Sequence, residues 1–219
     1  MGLYEVMRTT FAAREFLPTP MPDDVLRRIL DNARFAPSGG NRQGWRVIKV
    51  EDQAKRDALV PLIEPTFKRY RAQVQAGENP FNTIDPSDVE ASGVGEVEIP
   101  PGYIEQMTNA PVLLLVLVDL KVVASLDKDL PRVGVISGAS VYPFIWNILL
   151  SARYEGFGGT LTTFVAAEEP AVKKLFGIPD HYAVCAMLPL GKPVKQLTRL
   201  RRNPVDAFAW VDTFGGGSL

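Results

Sequence analysis

Cys185 and His181 are the only cysteine and the only histidine among 219 residues. One thiol rules out an internal disulfide or a multi-cysteine metal site, and one imidazole rules out the usual histidine zinc centres within a single chain. Four positions apart on an expected strand, the two share a face but not a contact, a poor geometry for a thiolate and its base. The thiol lies in the apolar run 182–187 and reads as a small hydrophobe. His181, beside Tyr182, reads as structural. With no convincing nucleophile or metal cluster to carry a reaction, the residues point, if this chain is an enzyme, to an organic cofactor. Three segments have the residue types to hold one. In Pro37-Ser38-Gly39-Gly40-Asn41, hydroxyl and amide groups flank glycines that let a backbone approach closely. Gly156 to Thr160 is a second glycine-rich turn, and Arg199, Arg201 and Arg202 form a basic cluster. Each has a plain alternative: a turn that satisfies its own backbone, a glycine helix stop, and a solvated surface.

The elements that must position these segments follow from periodicity. Residues 3–10 read as a short helix and 23–35 as an amphipathic one, with Val25, Leu26, Ile29, Leu30 and Ala33 in one stripe. The polar loop follows, then a strand over 45–50. Residues 53–76 favour helix, but Pro61 and Pro65 predict a kink or two short helices. The stretch 77–102 is rich in Gly, Pro and acids and predicts a long loop, a candidate lid. The run 111–118 is apolar on both faces, as in a central strand covered on each side. Residues 133–154 predict a buried helix with apolar residues around most of its circumference, and Pro143 either kinks it or sits near its start. A short helix over 170–177 with a glycine stop and a strand over 182–190 complete the pattern.

Composition narrows the function classes. Twenty-four basic against 25 acidic side chains leave a formal charge of −1, which gives no field to attract a polyanion, so no nucleic acid partner is expected. The most apolar run is far shorter than the ~20 residues a membrane-spanning helix needs, so no membrane partner is expected either. The N-terminus has no basic head followed by an apolar stretch, which places the expected location in the cytoplasm.

Three segments, in order, resemble the FMN-dependent nitroreductase family. Ala36-Pro37-Ser38-Gly39-Gly40-Asn41-Arg42-Gln43-Gly44-Trp45 is similar to the family's Ala-Pro-Ser, Asn, Gln and Trp signature. Gly156-Phe157-Gly158-Gly159-Thr160 resembles its Gly-aliphatic-Gly turn beside the isoalloxazine ring. Gly177-Ile178-Pro179, then Gly191-Lys192-Pro193 and Arg201-Arg202, resembles the run toward basic residues at the cofactor phosphate. The resemblance covers about residues 3–50 and 110–210. It implies an α+β nitroreductase-like fold, a mostly antiparallel central sheet flanked by helices, formed by residues 1–219 as a single domain with a lid or loop insertion at 77–102. It further implies an interlocked homodimer with FMN at the interface, and NADPH or NADH as electron donor. Reduction of a small-molecule electron acceptor, a nitroaromatic, a quinone or a similar electron-poor compound, would follow in a second step.

The cofactor residues so implied are Arg8, Thr10, Arg14, Pro37, Ser38, Gly39, Asn41, Gln43, Gly158, Gly159, Thr160, Arg201 and Arg202. Tyr70, Phe81 and Tyr103 are the candidate substrate residues. One departure stands out. Where the family pattern before Phe16 reads Arg-Arg-Ser-x-Arg-x-Phe, this chain has Thr10-Phe11-Ala12-Ala13-Arg14-Glu15-Phe16, so only the last arginine remains. That leaves two alternatives open: a flavin-binding or sequestering protein with little or no reductase turnover, and a scaffold that has kept the dimeric fold without the cofactor.

Overall fold

The computed structural model describes residues 1–89 and 91–219. Four antiparallel strands form one sheet in the order β1-β2-β4-β3: β1 is Trp45–Lys49, β2 Val112–Asp119, β3 Gly158–Gly159 and β4 Tyr182–Gly191. Strand β2 is the centre, and its first seven residues are all buried. Because successive side chains point to opposite faces, its sequence sorts itself between two cores. Val112, Leu114, Val116 and Val118 pack with helices α2 (Asp23–Ala33) and α6 (Tyr142–Tyr154). Leu113, Leu115 and Leu117 pack with α3 (Gln53–Gln75), α5 (Tyr103–Thr108) and α7 (Glu169–Phe176). The expected α+β architecture is therefore present. The remaining helices are α1 (Leu3–Thr9) and a short α4 (Ala91–Gly95).

The pairing of β2 with β4 slips between Val116 and Leu117, whose partners are Ala186 and Val184. Cys185 is the residue left over, a bulge. It packs against the α2/α6 core next to Ala186, which also belongs to that core. Its partial burial, with the Glu169 carboxylate as a lesser cause, pushes the thiol up to about 12. The thiol makes a long contact to the Ala183 carbonyl, at 3.7 Å, while the His181 ring rests on Tyr182 with centroids 4.5 Å apart.

Two sequence expectations need correction. Helix α3 is a single 23-residue element that runs through Pro61 and Pro65. Both prolines are exposed and one helical turn apart, so the two missing amide bonds fall on the wet side. Leu59, Ile63 and Phe67, at i, i+4 and i+8, hold the opposite face in the core. Asp52 caps its start, accepting from the Ala54 N–H at 2.9 Å. The helix expected from residue 133 begins only at Tyr142, with Pro143 in its first turn. Continuing it backward would drive the proline ring into the carbonyl four residues earlier, and Val133 and Val135 are exposed rather than facing a core. Residues Ile136–Ser140 form a short 3-10 turn instead. Of the loop expected over 77–102, Glu90 lies outside the described residues, and the rest is irregular or turn apart from α4.

Candidate active site

The edge strand β3 organises the site. A Cβ on Gly159 would meet the Leu190 side chain and stand 2.6 Å from the Pro189 carbonyl, so only glycine lets this strand lie against β4. Its carbonyl in turn accepts the Ala13 N–H at 3.0 Å, and Ala12 bridges Gly159 in parallel. The segment after α1 is thereby laid along β3, which brings Arg14 to the same cavity as Thr160.

That cavity has a volume of about 610 Å³. Its lining includes the run Thr160-Leu161-Thr162-Thr163 and the aromatic residues Phe67, Tyr70, Phe81, Tyr103 and Phe164. Phe67 stacks on Tyr103 with centroids 4.9 Å apart, and Phe164 meets Phe67 edge to face at 5.4 Å. Such contacts hold aromatic walls rigid. Arg14 is the single ionic side chain on the lining, and among the described residues it makes no ion pair. The Thr162 hydroxyl is fully buried without a hydrogen-bond partner. An apolar slot with a few polar groups at one edge suits a flat ligand with hydrogen-bonding atoms along one side.

A model of the Nitroreductase family matches residues 7–192. The chain belongs to the nitroreductase family. It is 28% identical to a protein named NADH dehydrogenase from Thermus thermophilus over 195 residues, spanning 88% of this chain and 87% of that one. It is 24% identical to the 4-nitrobenzoate reductase of Pseudomonas putida, over 85% of this chain and 83% of the relative. A solved iodotyrosine deiodinase bound to FMN and 3-iodo-L-tyrosine superposes with a TM-score of 0.69 at 22% identity, covering 97% of this chain and all of the other. The names of these relatives cover a dehydrogenase, a nitro-compound reductase and a deiodinase.

Within this nitroreductase-family chain the residues picked from sequence fall into three groups. Arg14, Thr160, Tyr70, Phe81 and Tyr103 converge on the one cavity, and Gly158 and Gly159 form the strand that leads into it. Pro37, Ser38, Gly39, Asn41 and Gln43 do not line it. They build a tight loop in which Ser38 Oγ accepts the Gln43 N–H at 2.9 Å and the Gln43 side-chain amide donates to Asn41 Oδ1 at 3.2 Å. Asn41 and Gln43 hold φ near +50° there. The loop is seated by the Gly39 N–H donating to Ser140 Oγ at 3.1 Å, and by Gly44, where a Cβ would press on Val122 at 2.9 Å. The third group is basic. Arg8, Arg201 and Arg202 are exposed and without ion pairs among the described residues.

Thr10 departs from its expected use. It is 5% exposed, and its hydroxyl donates to the Val6 carbonyl at 2.7 Å, back into α1. Sequence reasoning missed Phe67, Phe164, Thr162 and Thr163. The two phenylalanines look like core residues because they are also core residues, whereas the threonines adjoin a glycine turn and were open to inclusion on that ground. Also missed was Gln196, whose side-chain amide donates to the Thr9 carbonyl at 3.0 Å and ties the basic tail to the end of α1.

Proposed function

We propose that this chain is an FMN-dependent oxidoreductase that takes electrons from NADPH or NADH and passes them to flat, electron-poor acceptors such as nitroaromatics or quinones. The observation that carries this reading is the convergence of Arg14 and the Thr160–Thr163 run with an aromatic wall on one slot. Bound FMN would supply a two-electron carrier, so no side chain need act as a base. The chain's own share is to orient and to shield. Thr160, with the strand Gly158–Gly159 beside it, would hold the ring system, and Arg14 would offer charge-assisted hydrogen bonds to the cofactor. Arg8, Arg201 and Arg202, with no acidic partners of their own, are available to the phosphate. Tyr70, Phe81 and Tyr103 exclude water and stack against an aromatic acceptor.

The protein acts as a homodimer in this reading. Helices α1 and α6 expose Leu3, Tyr4, Trp146 and Tyr154. A groove of about 360 Å³ between them is lined by Met1, Leu3, Val6, Leu150 and Tyr154, with Asn32, Ser151 and Glu155 as its polar members. A contiguous apolar surface of this kind marks an interface in a water-soluble protein. A second copy then supplies its Ser38–Gln43 loop to the slot that this chain's own loop does not reach. Among the described residues no helix is long and apolar enough to cross a membrane, and the proposed setting is the cytoplasm.

A second reading is favoured by one observation. With Thr10 turned into its own helix and Phe11 and Ala12 uncharged, the phosphate end is weakened, as in a protein that binds flavin without turning over. Two measurements separate the readings. A visible spectrum before and after FMN addition and gel filtration reports occupancy and subunit number. Rapid mixing with NADPH or NADH reports flavin reduction, and a flavin that stays oxidised with both sinks the reductase.

A further inference from the structure

The segment after α1 brings Arg14 to the slot but carries no cation at Thr10-Phe11-Ala12. The fold brings one to its start from another element. Arg153 stands in the last turn of α6, and its Nε donates to Thr9 Oγ1 at 3.0 Å. Thr9 is 7% exposed, and its hydroxyl in turn donates to the Glu5 carbonyl at 2.7 Å, so the acceptor that aims the guanidinium is itself fixed. A guanidinium has five N–H donors, and this contact uses one. The two terminal nitrogens of Arg153 make no hydrogen bond or ion pair among the described residues, and neither is sealed from solvent.

The basic tail reaches the same point. The Leu17 N–H donates to the Lys192 carbonyl at 2.8 Å, the Val194 N–H to the Glu15 carbonyl at 3.1 Å, and the Gln196 side-chain amide to the Thr9 carbonyl at 3.0 Å. The chain after β4 therefore runs antiparallel to residues 9–17 and departs at Thr9, with Lys195 beside the contact and Arg199, Arg201 and Arg202 following. All four are exposed and make no ion pair among the described residues. Thr9 and Arg14 are five residues apart, at most about 18 Å along the backbone, a span that a three-ring head with a five-carbon phosphate tail can bridge. Like charges without acids between them repel until an anion joins them, and a guanidinium with free terminal nitrogens grips a phosphate through two parallel bonds. We propose that Arg153 binds the phosphate of the flavin cofactor, supplying from α6 the charge that Thr10-Phe11-Ala12 lacks. The proposal rests on the reading of this chain as an FMN protein.

The test uses two ligands that differ by the phosphate alone. FMN and riboflavin are titrated into the full-length protein freed of flavin, and quenching of flavin fluorescence gives each dissociation constant. The wild-type protein should hold FMN at least about tenfold more tightly than riboflavin, and Arg153→Gln should weaken FMN by about ten- to a hundredfold, the scale of a hydrogen bond to a charged group, with riboflavin unchanged. Arg153→Lys keeps the charge without the two-bond grip and should fall between. Thr9→Val removes the acceptor that aims the guanidinium and should weaken FMN several-fold, with no further effect in an Arg153→Gln background. A cation in the last turn of a helix also complements the helix dipole. With that role alone, Arg153→Gln would lower Tm and weaken both flavins alike, and this outcome overturns the proposal, as does an unaltered FMN affinity. A wild-type protein that binds both flavins equally also overturns it and leaves the flavin reading standing, whereas one that binds neither sinks both.

Discussion

In the proposed reading, Arg14 is the residue on which cofactor affinity turns. Its guanidinium reaches the slot only because the Ala13 N–H is hydrogen-bonded to Gly159, and no acid of the described residues neutralises it. Hydrogen bonds to charged groups contribute about 1.5–3 kcal/mol, so Arg14→Gln should weaken FMN binding by about ten- to a hundredfold. Quenching of flavin fluorescence on titration measures it, and an unaltered dissociation constant would remove Arg14 from the site. Gly159 is a harsher case. Any side chain there meets the Pro189 carbonyl and Leu190, so Gly159→Ala should unzip β3 and lower both Tm and flavin retention. Cys185 should do nothing. Its thiol is pushed up to about 12, chiefly by burial, and a group so far above neutrality stays protonated and unreactive. A thiol reagent should therefore leave the native protein unmodified near pH 8 and titrate one thiol after unfolding.

At the scale of elements, one buried carboxylate gathers residues 127–136 of the segment between β2 and α6. Asp127 is 4% exposed and accepts the Val135 N–H at 2.7 Å, the Arg132 guanidinium at 2.7 Å and the Ile136 N–H at 3.3 Å. These bonds, the Val135 amide first, hold its carboxyl below the ordinary aspartate range. A depressed carboxylate stabilises the fold at pH above its unfolded value, near 4, and that contribution disappears as the pH falls through the lower folded value. The same segment seats the Ser38–Gln43 loop through Ser140 and Val122. Acidification below about pH 4 should loosen both together, while Asp127→Asn should do so already at neutral pH. Hydrogen exchange of residues 122–140 reads this directly, and protection equal to wild type in Asp127→Asn would refute it. In the sheet, Leu115 is fully buried between β1 and β4 on the α3 side. Leu115→Ala should cost about 2–5 kcal/mol in denaturant unfolding.

At the scale of the whole molecule, the exposed apolar residues of α1 and α6 are the surface on which the proposed homodimer is tested. Trp146, 44% exposed on α6, is the large aromatic at the centre of that surface sequence, between Tyr142 and Tyr154. Trp146→Glu would place a charge in the proposed interface and should shift gel filtration from dimer to monomer, with FMN released along with the partner's loop. A monomer that kept its flavin would show that one chain holds the whole site.

Much of this was legible in one dimension. The run 112–118 announced a strand covered on both faces because strand geometry repeats every two residues, so a segment without polar positions has no side to offer to water. Gly177 announced the end of α7 because a positive φ, +66° there, favours glycine. The three family segments stood in order, and Arg14, Thr160, Tyr70, Phe81 and Tyr103 were all nameable before their meeting place was known. What the sequence left undecided were the outcomes of competition between distant parts. Two prolines end a helix by local rules, yet α3 continues because Leu59, Ile63 and Phe67 bury its other face. Apolar residues at 133–135 look like more helix, yet no core exists there to receive them. Local conformation follows from each residue's own sterics and could be read in order, but the energy that overrides it comes from partners that only the folded chain brings within reach.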